Sequence, residues 1–249
     1  RFTLGHVAGE LLDRPSWRHG AVGPRLGGRM KENVERCGGI AVMVEDAWGE
    51  PVSVDKVEAA FDDHPDAAIL AFVHAETSTG VHSDVKALCA LATRRGALSI
   101  VDAVTSVGGI EVLVDEWGVD AMYSGTQKCL SCVPGISPVT FGERAVQRIN
   151  ERTHKVQSWF LDMQLVMGYW GGSSKRAYHH TAPVNDLYAL HESMVMLQEE
   201  GLQASFSRHQ QNHNALVAGL EAMGLSMAVE PAYRLPQLNS VLVPEGVEG

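Results

Sequence analysis

No apolar run in this sequence approaches the roughly 20 residues that a helix needs to cross a bilayer. Its opening stretch, RFTLGHVAGELLDRPSWRHGAVGPRLGG, also lacks the apolar core of a signal peptide. Basic residues are in deficit: 20 Lys and Arg against 30 Asp and Glu leave a formal charge of −10. That balance argues against nucleic acid or an anionic membrane as partner, but not against one phosphate bound locally. Four cysteines, Cys37, Cys89, Cys129 and Cys132, are too few for a disulfide framework in 249 residues. Reduced thiols and a cytoplasmic setting are expected, with a peroxisome or another organelle left open. The CLSC pair has the spacing of half a zinc ribbon, yet no second pair accompanies it, so no metal is expected. No G-x-G-x-x-G follows a strand, and SVGGIEV does not supply one, which argues against a dinucleotide fold.

What is present is an α/β pattern, 45% apolar and with room for one large domain or one and a half smaller ones. GRMKENVERCGG predicts a helix closed at Gly38, IAVMVE a strand, and VSVDKVEAAFDD a helix capped by Ser53. AAILAFV is continuously apolar, as a strand covered on both faces must be. SDVKALCALATRRG predicts a helix started by Ser83, with Val85, Leu88, Leu91 and Ala92 on one face and Gly96 at its end. ALSIVDAV, VDAMYSG and ISPVTFG read as further strands, so parallel βαβ units with helices on both faces are expected. After Arg144 come a helix in ERAVQRINERTHK, an irregular aromatic stretch from Trp159 to Val184, and two long helices. LSMAVEP and LNSVLVP then read as the start of a second unit. The expected organisation is an atypical segment over 1–25, a large domain over 26–185, and connecting helices with the start of a small α/β domain over 186–249. Because the chain opens on Arg1 and closes just after a strand, it reads as a fragment.

In parallel sheets, ligands sit beyond the carboxyl ends of the strands. Three stretches fall there: HAETSTG, DAVTS and SGTQK. Asp102 directly follows an apolar strand, and Lys128 stands where an ammonium is costly to bury. The two are expected to meet at one rim. One reading is a semi-buried ion pair. The other is a pyridoxal phosphate site, where the lysine is committed as a Schiff base and the aspartate holds the ring nitrogen protonated.

HAETSTG, VDAVTSVGG, SGTQKCLSCVPG and YHHTAPV, in that order and spacing, resemble the class V aminotransferases of fold type I, in the alanine–glyoxylate and serine–pyruvate (or serine–glyoxylate) branch. The resemblance runs from about Gly27 to Gly249. It implies pyridoxal 5′-phosphate as cofactor and a mainly parallel sheet. It makes Lys128 the Schiff-base lysine and proton carrier, and Asp102 the partner of the ring nitrogen. Val104 lies against the ring face, Thr77 near the phenolic oxygen, and Gln127 donates to the phosphate. Tyr178 and Thr181 bind the phosphate of the neighbouring subunit, so a homodimer with a shared site is implied. The implied activity moves an amino group from alanine or serine to glyoxylate or pyruvate. Three family features are not found: a phosphate-gripping turn in residues 1–25, a ring-stacking aromatic where Leu26 stands, and the carboxylate-binding arginine. An inert aminotransferase fold that acts at most in dimerisation is therefore one alternative. A cysteine desulfurase-like enzyme is another, set against by Gln127 where that branch has histidine. His179 and His180, adjacent on an extended chain, are not expected to ligate one metal together. Trp117, Trp159 and Trp170 are expected in core or interface, and Arg234 as structural.

Overall fold

The computed structural model describes residues 18–22, 26–170 and 177–247. A six-stranded sheet in the order β2-β1-β3-β6-β7-β8 forms its centre. The strands are β1 (Arg18–Val22), β2 (Ile40–Val44), β3 (Ala67–Val73), β6 (Leu98–Asp102), β7 (Ala121–Tyr123) and β8 (Val139–Phe141), while β4 (Ala75–Glu76) and β5 (Val81–His82) form a small separate pair. Every pairing in the main sheet is parallel except β7 with β8.

The helices of this half are α1 (Leu26–Arg36), α2 (Val54–Asp63), α3 (Val85–Arg94) and α4 (Glu143–Glu151). Period-two alternation splits β3 between two cores. Ile69, Ala71 and Val73 join Met30, Val34, Ile100, Tyr123 and Ile149 on one face. Leu70 and Phe72 join Val57, Phe61, Leu88, Leu91, Val101 and Met122 on the other. A strand covered twice has no polar face, hence the unbroken AAILAFV. The Ser53 cap forms as expected, its side chain accepting from the Lys56 amide.

Four expectations are corrected. Residues 18–22, inside the segment read as atypical, form β1 between β2 and β3. Asp84, not Ser83, caps α3 by accepting from the Ala87 amide; Ser83 Oγ instead accepts from Val52 N–H, 31 residues away. The β6-to-β7 crossover carries turns rather than a helix, and β8 runs antiparallel, so strict βαβ alternation ends at β6. The stretch read as irregular holds a 3-10 turn at Trp159–Leu161 and helix α5 (Met163–Trp170). Residues 1–25, from which the phosphate turn is missing in sequence, lie mostly outside the described residues.

Helices α6 (Val184–Glu200) and α7 (Leu202–Ala222) follow as expected. Beyond them, LSMAVEP and LNSVLVP pair antiparallel only briefly, with Met227 bridged to Val241 and Ala228 N–H donating to Ser240 O. This terminal segment leans back on the strand-end loops: Leu235 N–H donates to Gly80 O, and Val81 bridges Arg234. Arg234 is structural, as expected, donating to Val229 O at 2.7 Å. No helix among the described residues is long and apolar enough to cross a membrane.

Candidate active site

Asp102 is the last residue of β6 and Tyr123 the last of β7, and the two are register partners. Neighbours in register share a face, so Asp102 points toward the ring of Tyr123. The Tyr123 hydroxyl donates to Asp102 Oδ2 at 2.6 Å, and the Val104 amide donates to Oδ1 at 3.0 Å. Only 5% of Asp102 is exposed. Burial raises its pKa, the Tyr123 and Val104 bonds lower it, and the nearby Glu76 carboxylate raises it further. Glu76 is itself buried and accepts from the amide and hydroxyl of Ser78.

The three strand-end loops are tied together through Thr105. Its hydroxyl lies 2.9 Å from that of Thr77. Its carbonyl accepts from Cys129 Sγ at 3.4 Å and from Gln237 Nε2 at 2.9 Å. Cys129 follows Lys128 directly, so the lysine loop is fastened to the aspartate loop by the residue beside it. Burial raises the Cys129 thiol pKa, while the Lys128 charge opposes this. Gly109 allows the fastening, since a Cβ there would fall 2.7 Å from Cys129 Sγ.

Lys128 is not buried at a strand end. It lies in the loop beyond Tyr123 and is exposed, as is Gln127. The expected burial cost is therefore absent. Lys128 instead lines a cavity of about 590 Å³ with Thr105, Cys129, Ser193, Gln237 and Leu238. A larger crevice of about 1190 Å³, lined by His74, His82, Trp117 and Arg234, includes none of the predicted site residues.

Val104 is half-buried, and at Gly125 a Cβ would fall 2.9 Å from Gln127 Oε1 and 3.3 Å from Val104 Cγ1. Gly125 thus lets Gln127 and Val104 close around it. Tyr178 and Thr181 are exposed and bonded to each other, Oη to Oγ1 at 2.7 Å. The adjacent histidines do not point apart: their Nδ1 atoms lie 2.7 Å from each other, and His179 stacks on Trp159. Trp159 and Trp170 are largely exposed, whereas Trp117 packs with the second core. Tyr123 and Gln237 are site residues outside the motifs, and Thr105 lies within DAVTS but was given no role there. Only the in-register ends of β6 and β7 single out Tyr123.

The residues present fit pyridoxal phosphate. A buried carboxylate with spare acceptor capacity, an exposed amine on the adjoining loop, an amide donor in Gln127 and an apolar face in Val104 match the ring nitrogen, the aldehyde, the phosphate and the ring face of such a group. A mainly parallel sheet with these loops at its carboxyl ends is the frame of a fold type I transferase. The profile of the Aminotransferase class-V family matches residues 32–248, and the chain belongs to that family, which implies the same cofactor. It is 38% identical over 221 residues to the alanine–glyoxylate aminotransferase of Oryctolagus cuniculus, covering 88% of this chain and 56% of that protein. It is 35% identical over 243 residues to the (S)-ureidoglycine–glyoxylate transaminase of Bacillus subtilis (strain 168), covering 90% and 58%. The crystal structure of an alanine–glyoxylate aminotransferase from Nostoc sp. superposes with a TM-score of 0.94 at 40% identity, covering 99% of this chain and 64% of that one. The chain therefore spans less than two thirds of these relatives' lengths.

Proposed function

We propose that this chain carries the cofactor-binding half of an aminotransferase that moves an amino group from a small amino acid, alanine or serine, to glyoxylate or pyruvate. The observation that carries this reading is the fastening of the Lys128 loop to the Asp102 loop through Cys129 and Thr105. The three relatives compared above, at 35–40% identity, are all named for transamination of glyoxylate, which supports it over an inert scaffold or a desulfurase.

Pyridoxal phosphate supplies an aldehyde that captures amines and a ring that accepts electron density as a Cα–H bond breaks. Lys128 Nζ would hold the cofactor covalently and would be the amine available to carry a proton to and from the substrate Cα. Asp102 would set its carboxylate against the ring nitrogen and favour a proton there. Val104 would orient the ring by apolar contact, Thr77 Oγ1 would donate beside the phenolic oxygen, and the Gln127 amide would donate to the phosphate. Tyr178 and Thr181, already paired and exposed, would offer two hydroxyls to the phosphate of a second copy, which would make the working unit a homodimer.

Borohydride fixation tests the reading. Purified chain incubated with pyridoxal phosphate and borohydride is expected to gain one covalent cofactor, mapped by mass spectrometry to Lys128. Lys128→Ala is expected to gain none and to lose alanine–glyoxylate transamination. Equal labelling of the variant would refute the assignment.

A further inference from the structure

Resting on the reading above, we infer that Tyr123 is a positioning residue of this site: its hydroxyl fixes the plane of the Asp102 carboxylate and the lone pairs that face the ring nitrogen. An ionised carboxylate offers about four acceptor positions. Here one position on each oxygen is taken, Oδ1 by the Val104 amide and Oδ2 by Tyr123. A single donor would leave the group free to turn about its last torsion, which is broad for aspartate. Two donors on different oxygens stop that rotation and leave one position free on each.

Tyr123 is itself held rigidly. It ends β7, is paired in register with Asp102, and sits buried in the cluster of Ile100, Ile149 and Met163. Packing alone would be served by phenylalanine, so the hydroxyl is the part that packing does not explain. The groups facing Asp102 are the Val104 amide, the Tyr123 hydroxyl and the Glu76 carboxylate. Burial and Glu76 both oppose a negative charge there, and only the two donors favour it. Of those two, Tyr123 is the one that belongs to a side chain. Burial and the Asp102 charge push its own hydroxyl pKa well above the usual range, so it remains a donor.

The test compares binding of pyridoxal phosphate with that of its 1-deaza analogue, in which carbon replaces the ring nitrogen. The parent chain is expected to prefer the natural compound, and the preference to fade as acid protonates Asp102. Tyr123→Phe is expected to cut the preference about tenfold, the loss of one hydrogen bond to a charged group. It is also expected to move the acid midpoint up by about one pH unit and to leave affinity for the deaza analogue within twofold. A preference and midpoint unchanged in Tyr123→Phe would overturn the role of Tyr123 alone. A parent chain that binds both compounds equally, or neither, would overturn the placement of Asp102 against a ring, and this inference with it. Should Tyr123→Phe fail to fold by circular dichroism, 3,5-difluorotyrosine at position 123 keeps the ring and strengthens the donor. The midpoint is then expected to fall, and no movement would overturn the inference.

Discussion

The hydroxyls of Thr77 and Thr105 lie 2.9 Å apart across two loops that are 28 residues apart in sequence. This bond joins the turn between β4 and β5 to the loop after β6, and Thr105 in turn holds Cys129 and Gln237 through its carbonyl. One threonine therefore gathers three strand ends and the C-terminal segment.

Valine at either threonine position keeps the shape and removes the bond. A double-mutant cycle with Thr77→Val and Thr105→Val is expected to give a coupling of about 1 kcal/mol in urea unfolding. A coupling near zero would mean that each hydroxyl bonds elsewhere in solution.

Two glycines in left-handed backbone separate strain from crowding. Gly96 has φ +73° with nothing within 4 Å of a built Cβ, so Gly96→Ala is expected to cost only about 1–2 kcal/mol, the left-handed penalty alone. Gly80 has φ +81°, and a Cβ there would lie 2.5 Å from Leu238 O. Its alanine variant adds a backbone clash typically worth about 1–3 kcal/mol more. It should also loosen the C-terminal segment, read as faster proteolysis near Leu238. Equal unfolding midpoints for the two variants would contradict this close approach.

His74 supplies an acid-sensitive element. It is buried, edge-on to Trp117, and burial together with His82 lowers its pKa from 6.5 to about 4. A histidine depressed in the fold binds protons more readily when unfolded, so stability is intact above pH 6.5 and is lost as pH falls from 6.5 toward 4. At 1.36 kcal/mol per pH unit the loss is about 3 kcal/mol. His74→Gln is expected to flatten that part of the Tm–pH curve. An unchanged slope would place the acid sensitivity elsewhere.

Asp120 is a buried carboxylate with a structural task. Its Oδ2 accepts from the amide and hydroxyl of Ser99 and from Arg144, while Arg144 also donates to Ala97 O. Asp120→Ala strands a buried amide and one face of the guanidinium. It is expected to cost about 3 kcal/mol in urea unfolding, whereas Glu151→Ala, at the exposed end of α4, should cost under about 0.5 kcal/mol.

Long, strongly patterned elements were legible in the sequence. AAILAFV had to be covered twice, and VKALCALATR had to show one apolar face, because burial fixes their periods. The position of the motifs at strand ends followed from topology. What was hidden depended on contacts distant in sequence. RHGAV carries only two apolar residues among Arg, His and Gly, too few to announce a strand, and its pairing comes from two neighbours that both lie later in the chain. Ser83 and Asp84 are both good caps, and a remote amide, Val52 N–H, took one of them. Lys128 would stand at a buried strand end only if the strand ran on past Tyr123, and β7 stops there. The hydroxyl of Tyr123 looked like one more apolar residue until its register with Asp102 was known.

β1 lies between β2 and β3, bonded to both. With strands spaced about 4.8 Å apart, its removal would leave β2 and β3 almost 10 Å from each other, too far for their amides and carbonyls to pair. Each would then show an uncapped ladder to its surroundings, a template for intermolecular sheet growth. Shortening this polypeptide to begin at α1 would on that ground yield aggregates, although every side chain proposed for chemistry would still be present.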